Sequence, residues 1–509
     1  MPEPFKSRPV LRSAKVPSKM NAQCLSQEKD RGAACCARLR IPHGSESRGC
    51  YPLLLDGFVR LSTRARGDVM TEVSARARAE ALLAYIGKSP SPWHAVNTTV
   101  DELEAAGFQR LEEEAEWALQ PESAYYVIRD GSSIIAFRTG SRSLLETGYR
   151  IIGAHTDSPG FRIKPSPAHD REGVTRLGVE VYGGPIVATF SDRDLTLAGR
   201  VMVARGDGGL QARAVHFPRP LLRLPNVAIH MNREVNNQGL RFDAQDELPL
   251  VLELAKDELP AEKRFRCLLA DALEVAEKDI WSWELAVADT QPGAFFGVGD
   301  EFIASPQLDN LASCHAGLQA LLEADAPQAT TICAFFDHEE IGSQSYKGAE
   351  GSFLPDVLRR IGYGLAYDDA AQSRIRARSL VLSADMAHAY HPSFARFYDE
   401  LHRVTLNGGP VIKINAKQRY ATDAAGEAYV QRLAAEVGVP IQKYVHRSNL
   451  PCGSTIGPIT AARLGMRAVD IGNAMWSMHS LRESAGAHDH AMMILLMTAF
   501  FRQAEPLAS

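Results

Sequence analysis

From residue 309 onward, short apolar runs of strand length alternate with longer stretches of helical period. A helix over 309–323 leads into TTICAFF (330–336), and LVLSAD (380–385) and VIKI (411–414) follow. Then come a helix over 422–437, IQKYVH, the helix STIGPITAARLG, MRAVDIG and a last helix from about 488. Runs that are apolar at every position need cover on both faces, and the intervening helices supply it. The pattern predicts an α/β fold with a mostly parallel sheet flanked by helices. In such sheets ligands collect beyond the carboxyl ends of the strands.

Earlier in the chain the same reading predicts helices over Ala75–Ile86 and Thr99–Ala106, the second stopped by Gly107. YYVIRDGSSIIAFRTG (125–140) reads as a hairpin around Asp130-Gly131. YRIIGA (149–154) reads as a buried strand running into His155-Thr156-Asp157-Ser158-Pro159. Between about 166 and 280 the texture changes. The β-type runs LGVEVY, LTLAGRVMVA, ARAVHF and NVAIHM alternate with Gly and Pro, and the helical AEKRFRCLLADALEVA follows. Residues 166–280 are therefore expected to form a β-rich domain inserted into an α/β domain made of 70–165 and 281–509.

Composition separates one further segment. Residues 1–69 hold thirteen Lys/Arg against six Asp/Glu, a balance of +7, so the other 440 residues carry −12 within the net −5. This segment has no periodicity and no signal-peptide core. It is expected to be a disordered extension outside the folded part, or an over-long translation start with Met70 as the true one; a targeting arm is the second reading. The net charge argues against a nucleic-acid partner, and no run of ~18 apolar residues suggests a membrane span. Cys267, Cys314, Cys333 and Cys452 lie far apart with no metal-knuckle spacing, which fits the reducing cytoplasm.

The run TTICAFF ends on Asp337-His338-Glu339-Glu340. Adjacent carboxylates at the end of a buried strand repel, and removing them from water is costly without compensation. A salt bridge could compensate, though no Lys or Arg follows until Lys347; a metal could also do so; a solvated turn would need neither. Other strand ends carry the same chemistry. GAHTD gives His155 and Asp157, SPQLDN gives Asp309, LSADMAHAYHP gives Asp385, His388 and His391, and SMHSLRE gives His479. One such histidine is usually structural, but five sites at one rim are hard to explain that way. Imidazole and carboxylate without thiolate suit Zn²⁺, Mn²⁺ or Co²⁺ in a hydrolytic site. Their number suits two ions sharing a carboxylate.

With these motifs in hand, the chain resembles the aspartyl-aminopeptidase family of dinuclear zinc peptidases. GAHTDSPGFRIKP, SPQLDNLAS, FFDHEEIGS, SADMAHAYHP, IKINAKQRYAT, PCGSTIGPI and SMHSLRE carry the likeness, from about Pro90 to the C-terminus. The resemblance implies that His155, Asp309 and Asp385 hold one ion and that Asp309, Glu340 and His479 hold the other. It implies Glu339 as general base, taking a proton from the attacking water and passing it to the leaving amine, with Asp157 fixing the His155 tautomer. HFPRPLLRLPNVAIHMNR resembles the segment that builds the subunit interface. There His230 would reach a neighbouring subunit's active site, to contact substrate or even its metal. Lys413, with His388 and His391, would contact the substrate, and Lys413 would favour an acidic side chain. Two Zn²⁺ ions, peptide substrates and dimers assembling into a dodecamer are implied as well. Gly453-Ser454-Thr455 opens a helix whose N–H groups could hold a carbonyl or carboxylate, or could simply be capped. The rival readings are a related metallo-carboxypeptidase or amidohydrolase, and a non-catalytic shell protein that should have lost ligands.

Overall fold

The computed structural model describes residues 72–256 and 258–507. The expected extension over 1–69 lies outside the described residues.

A nine-stranded sheet organises the larger part of the described chain. Across it the strands run Gln109–Leu111, Ala124–Arg129, Ser133–Arg138, Thr330–Phe336, Tyr149–His155, Leu380–Ala384, Arg467–Gly472, Val411–Ile414 and Gln442–Val445. The four central strands, from Thr330–Phe336 to Arg467–Gly472, are mutually parallel. Three of them are buried along nearly their whole length, as a sheet covered on both faces requires. Alternate residues of these strands divide between two cores. Ile152, Ala154, Cys333 and Phe335 face the helices Leu308–Glu323 and Asp489–Phe501. Ile151, Ile332, Ala334 and Phe336 face the helix Phe353–Gly364 and Ile456 of Ile456–Leu464. The period of two places every second side chain on each face. Helix Asp489–Phe501 is buried nearly all round because, after Asp489 and His490, its AMMILLMTAFF run is apolar on nearly every face.

A second sheet has six strands, every pairing antiparallel. Its strands lie between Gly160 and Asp289. Phe265 and Leu269 of helix Ala261–Leu273 fill its core.

Several local expectations are corrected. NVAIHM (226–231) is not a strand: it pairs with nothing as a strand and turns at 229–231, with Val227, Ile229 and Met231 exposed. Alternating apolar residues mimic a strand there, but no neighbouring edge receives them. The second helix begins at Pro92, with Pro at its first position, and not at Thr99. Val411–Ile414 lies antiparallel to Arg467–Gly472. A third sheet of five short strands, reaching from Ala294–Phe296 to Ala387–His388, went unforeseen because its strands are two to four residues long.

Candidate metal centre

Parallel strands in register end at one rim. Phe336 stands opposite His155, and Ala384 opposite Ile471. His155 closes its strand, Asp385 follows Ala384, and Glu339 and Glu340 sit in a 3₁₀ turn that starts three residues after Phe336. Asp309 and Asn310 stand at the head of helix Leu308–Glu323 with non-helical dihedrals, which turn the Asp309 carboxylate into the rim. His479 comes from the loop after Ala474–Trp476, with a left-handed φ of 67°.

Two triads result. The ligand atoms of His155, Asp309 and Asp385 lie within 4.8 Å of one another, as do those of Asp309, Glu340 and His479. His155 Nε2 is 3.5 Å from Asp309 Oδ1 and 3.7 Å from Asp385 Oδ1. His479 Nε2 is 3.4 Å from both Asp309 Oδ2 and Glu340 Oε2. These separations are too long for good hydrogen bonds. They suit ligands placed about 2.1 Å from a common ion at a tetrahedral angle, which stand roughly 3.4 Å apart. Asp309 Oδ1 is buried without a hydrogen-bond partner, an orphan that a cation would satisfy. The donor set therefore fits a metal at each triad.

The electrostatics agree. Burial works against charge on His155, yet Asp157, Asp309 and Asp385 outweigh it and hold its pKa well above the ordinary value. Burial also opposes charge on His479, but Asp309 lifts it to about 9. Burial, then Asp309, raises Glu340 well above the usual range. Glu339 is pushed up to about 8, first by burial and then by the surrounding carboxylates, with His155 opposing. A site that draws protons this strongly is one that a divalent cation would stabilise in their place.

The supporting contacts fix orientation. His155 Nδ1 lies 3.0 Å from the Asp157 carbonyl and 3.4 Å from its carboxylate, so the backbone oxygen is the nearer of the two acceptors. His479 Nδ1 lies 3.0 Å from the Gly184 carbonyl. Each ring can thus carry its proton on Nδ1 and offer Nε2 to a metal. The Asp157 carboxylate also accepts the backbone N–H groups of Glu339 and Glu340, both at 3.1 Å.

Lys347 does form a salt bridge at the end of strand Thr330–Phe336. This buried lysine lies 2.9 Å from Asp337 and 2.9 Å from Asp130. It compensates Asp337, while Glu339 and Glu340 face the metal rim.

The remaining predicted residues fall in different places. Lys413 is buried, not a surface residue, with Nζ 3.2 Å from Asp385 Oδ2 and 3.1 Å from the Met386 carbonyl. His388 packs against Tyr444 and His446, and burial, then Lys413, lowers its pKa to about 4. His391 packs on Phe394 and Trp476. Neither joins a triad. His230 is exposed on the inserted domain and belongs to no metal-competent group among the described residues. Thr455 caps the helix Ile456–Leu464 and binds Asp470, so the capped alternative holds at that N-terminus. Two supporting residues escaped the sequence reading. Glu483 accepts from the backbone N–H of Asp309 at 3.0 Å and of His479 at 2.7 Å. Tyr182 donates to Asp157 Oδ2 at 2.7 Å. Glu483 lies four residues past His479 in SMHSLRE, a usable hint, whereas Tyr182 carries no local signal.

An α/β sheet whose strand ends gather imidazoles and carboxylates into two linked triads defines a metal-dependent hydrolase. The comparisons with known proteins sharpen this. A family model described as Aminopeptidase I zinc metalloprotease (M18) matches residues 85–501, and the chain belongs to that family. It is a metallo-aminopeptidase. A probable M18 family aminopeptidase 2 of Azotobacter vinelandii is 48% identical over 428 residues, covering 83% of this chain and 97% of the relative. Among solved structures, a chain of the cryo-EM complex of Ape4 and Nbr1 matches with a TM-score of 0.82 at 39% identity, covering 84% of this chain and 86% of that one. The mApe1 dodecamer of S. cerevisiae matches with a TM-score of 0.74 at 27% identity, covering 84% and 97%.

Proposed function

We propose that the enzyme removes single residues from peptides with a free N-terminus, using two divalent ions, most simply Zn²⁺, with Mn²⁺ or Co²⁺ able to substitute. The observation that carries this reading is Asp309, whose two oxygens face the imidazoles of His155 and His479 separately. When bound, the ions would polarise the scissile carbonyl and acidify the attacking water. His155, Asp309 and Asp385 would hold one, and Asp309, Glu340 and His479 the other. Glu339 takes the proton of the attacking water and returns it to the leaving amine. Asp157 orients His155 and the turn that carries Glu339.

Lys413 has three N–H donors, and Asp385 and Met386 occupy two. The third is the basis for proposing a preference for acidic side chains, with His388 and His391 lining the approach. The exposure of His230 supports its service to a second copy of the chain. The solved mApe1 dodecamer supports a homo-oligomer built from dimers into a dodecamer. Four free cysteines among the described residues suit a cytoplasmic enzyme. No helix among the described residues is long and apolar enough to cross a membrane.

The test pairs metal analysis with matched peptides. Two ions per chain and cleavage of free-amine peptides, with their N-acetyl counterparts resistant, are expected. Equal cleavage of both peptides would overturn the aminopeptidase mechanism, and one ion at full activity would overturn the dinuclear centre.

A further inference from the structure

The strand Val174–Tyr182 belongs to the inserted sheet, yet its end meets the catalytic rim at consecutive residues. The Tyr182 hydroxyl donates to Asp157 Oδ2 at 2.7 Å. Gly183, at φ 68°, presses so close to Glu340 that a Cβ would lie 3.1 Å from the Glu340 Cβ. The Gly184 carbonyl faces His479 Nδ1 at 3.0 Å, and Ile186 N–H donates to the His479 carbonyl at 2.9 Å. Asp157 in turn receives the N–H groups of Glu339 and Glu340.

We propose that Tyr182 is a positioning residue for the reaction: from the inserted sheet it orients Asp157, and through Asp157 the turn that presents Glu339. The tyrosine is itself held in place. The Arg162 guanidinium lies 4.4 Å over its ring, and the His338 ring is 6.3 Å away. With Tyr182 in place, Asp157 has a fixed donor on Oδ2 and cannot rotate away from the two amides. Without it, one carboxylate oxygen loses its side-chain anchor, and the turn gains freedom at the end nearest the base.

The chain leading into the turn is pinned independently. Asp337 pairs with Lys347, Lys347 with Asp130, and Asp130 with Arg200 of the inserted sheet. Loosening Tyr182 should therefore leave the fold and the turn's overall placement intact.

This inference rests on the reading of Glu339 as the base, and the experiment separates the two. Tyr182→Phe keeps the ring and removes only the hydroxyl. In the metal-loaded protein, kcat is expected to fall about 10–100-fold, the range seen when supporting partners of a metal site are removed. KM should stay within about twofold, with metal content and thermal midpoint unchanged. The same substitution is then added to Glu339→Gln, with residual turnover read over long incubations. If Tyr182 works through Glu339, it should change that residual rate by less than about twofold. An equal loss in both backgrounds, a loss accounted for by missing metal, or no loss at all overturns the assignment while leaving the base in place. A Glu339→Gln protein with wild-type turnover overturns both.

Discussion

Replacing Glu339 with Gln keeps its shape and burial but removes its basicity. Glu339→Gln should therefore keep its metal while kcat falls by roughly 10²–10⁴-fold. Metal analysis beside steady-state kinetics checks it, and full turnover with full metal would remove Glu339 from the mechanism. Asp385→Ala and His479→Ala each delete one donor of a triad. They should lower metal content, and excess Zn²⁺ or Mn²⁺ should restore part of the activity. Glu483 ties the backbones of Asp309 and His479 together. Glu483→Ala should weaken metal affinity about 10–100-fold, measured by competition with a chelating dye. The triad residues were legible in the sequence because each interrupts or follows an apolar run with a group that burial penalises. Glu483 and Tyr182 were not, because a carboxylate bonded to backbone amides and a hydroxyl bonded to a carboxylate look ordinary until the chain is folded.

Between elements, close approach sets the limits. Gly472 ends its strand where a Cβ would collide with the Asp385 carbonyl oxygen. Gly472→Ala should cost about 1–3 kcal/mol and reduce metal occupancy together, since relief requires Asp385 to move. Denaturant unfolding and metal analysis on the same protein would show it. Helices Leu308–Glu323 and Asp489–Phe501 meet at His315 and His490, whose Nδ1 and Nε2 atoms are 2.7 Å apart. One ring must donate and the other accept, so at most one of the two can carry a charge. Burial, then Arg78, lowers His315 to about 3; burial, then His315, holds His490 well below its ordinary value. The folded state thus refuses protons that the unfolded chain accepts below about pH 6.5, and stability is lost as pH falls through that value. Each histidine contributes a slope of up to about 1.4 kcal/mol per pH unit. Thermal midpoints at pH 7.5 and 5.5 should draw closer together in a protein carrying His315→Gln and His490→Gln. The long strands and helices were readable from period and length. The five-stranded sheet was not, since strands of two to four residues carry no period, and NVAIHM showed the reverse failure, a strand-like pattern with no edge to join.

Across the whole molecule, His230 is the residue a single chain leaves without a task. If it serves a neighbouring copy, His230→Ala should lower kcat strongly while metals and assembly persist. Mixing it with Glu339→Gln subunits should then recover activity, because a hybrid pair unites an intact base with an intact histidine. Verified hybrids no more active than their parents would confine His230 to its own chain. The change of texture after residue 166 marked where the second sheet lies, whereas contacts between copies of a chain leave no periodic trace in sequence. The triads have a consequence for how the enzyme matures. Their members are spread from His155 to His479, with the entire inserted sheet between His155 and Asp309. During synthesis the first triad lacks a member until Asp385 has emerged, and the second until His479 has. The stabilisation that metal lends a folded state is thus withheld from every shorter product of translation. Metal binding would thus favour only a chain that extends past His479.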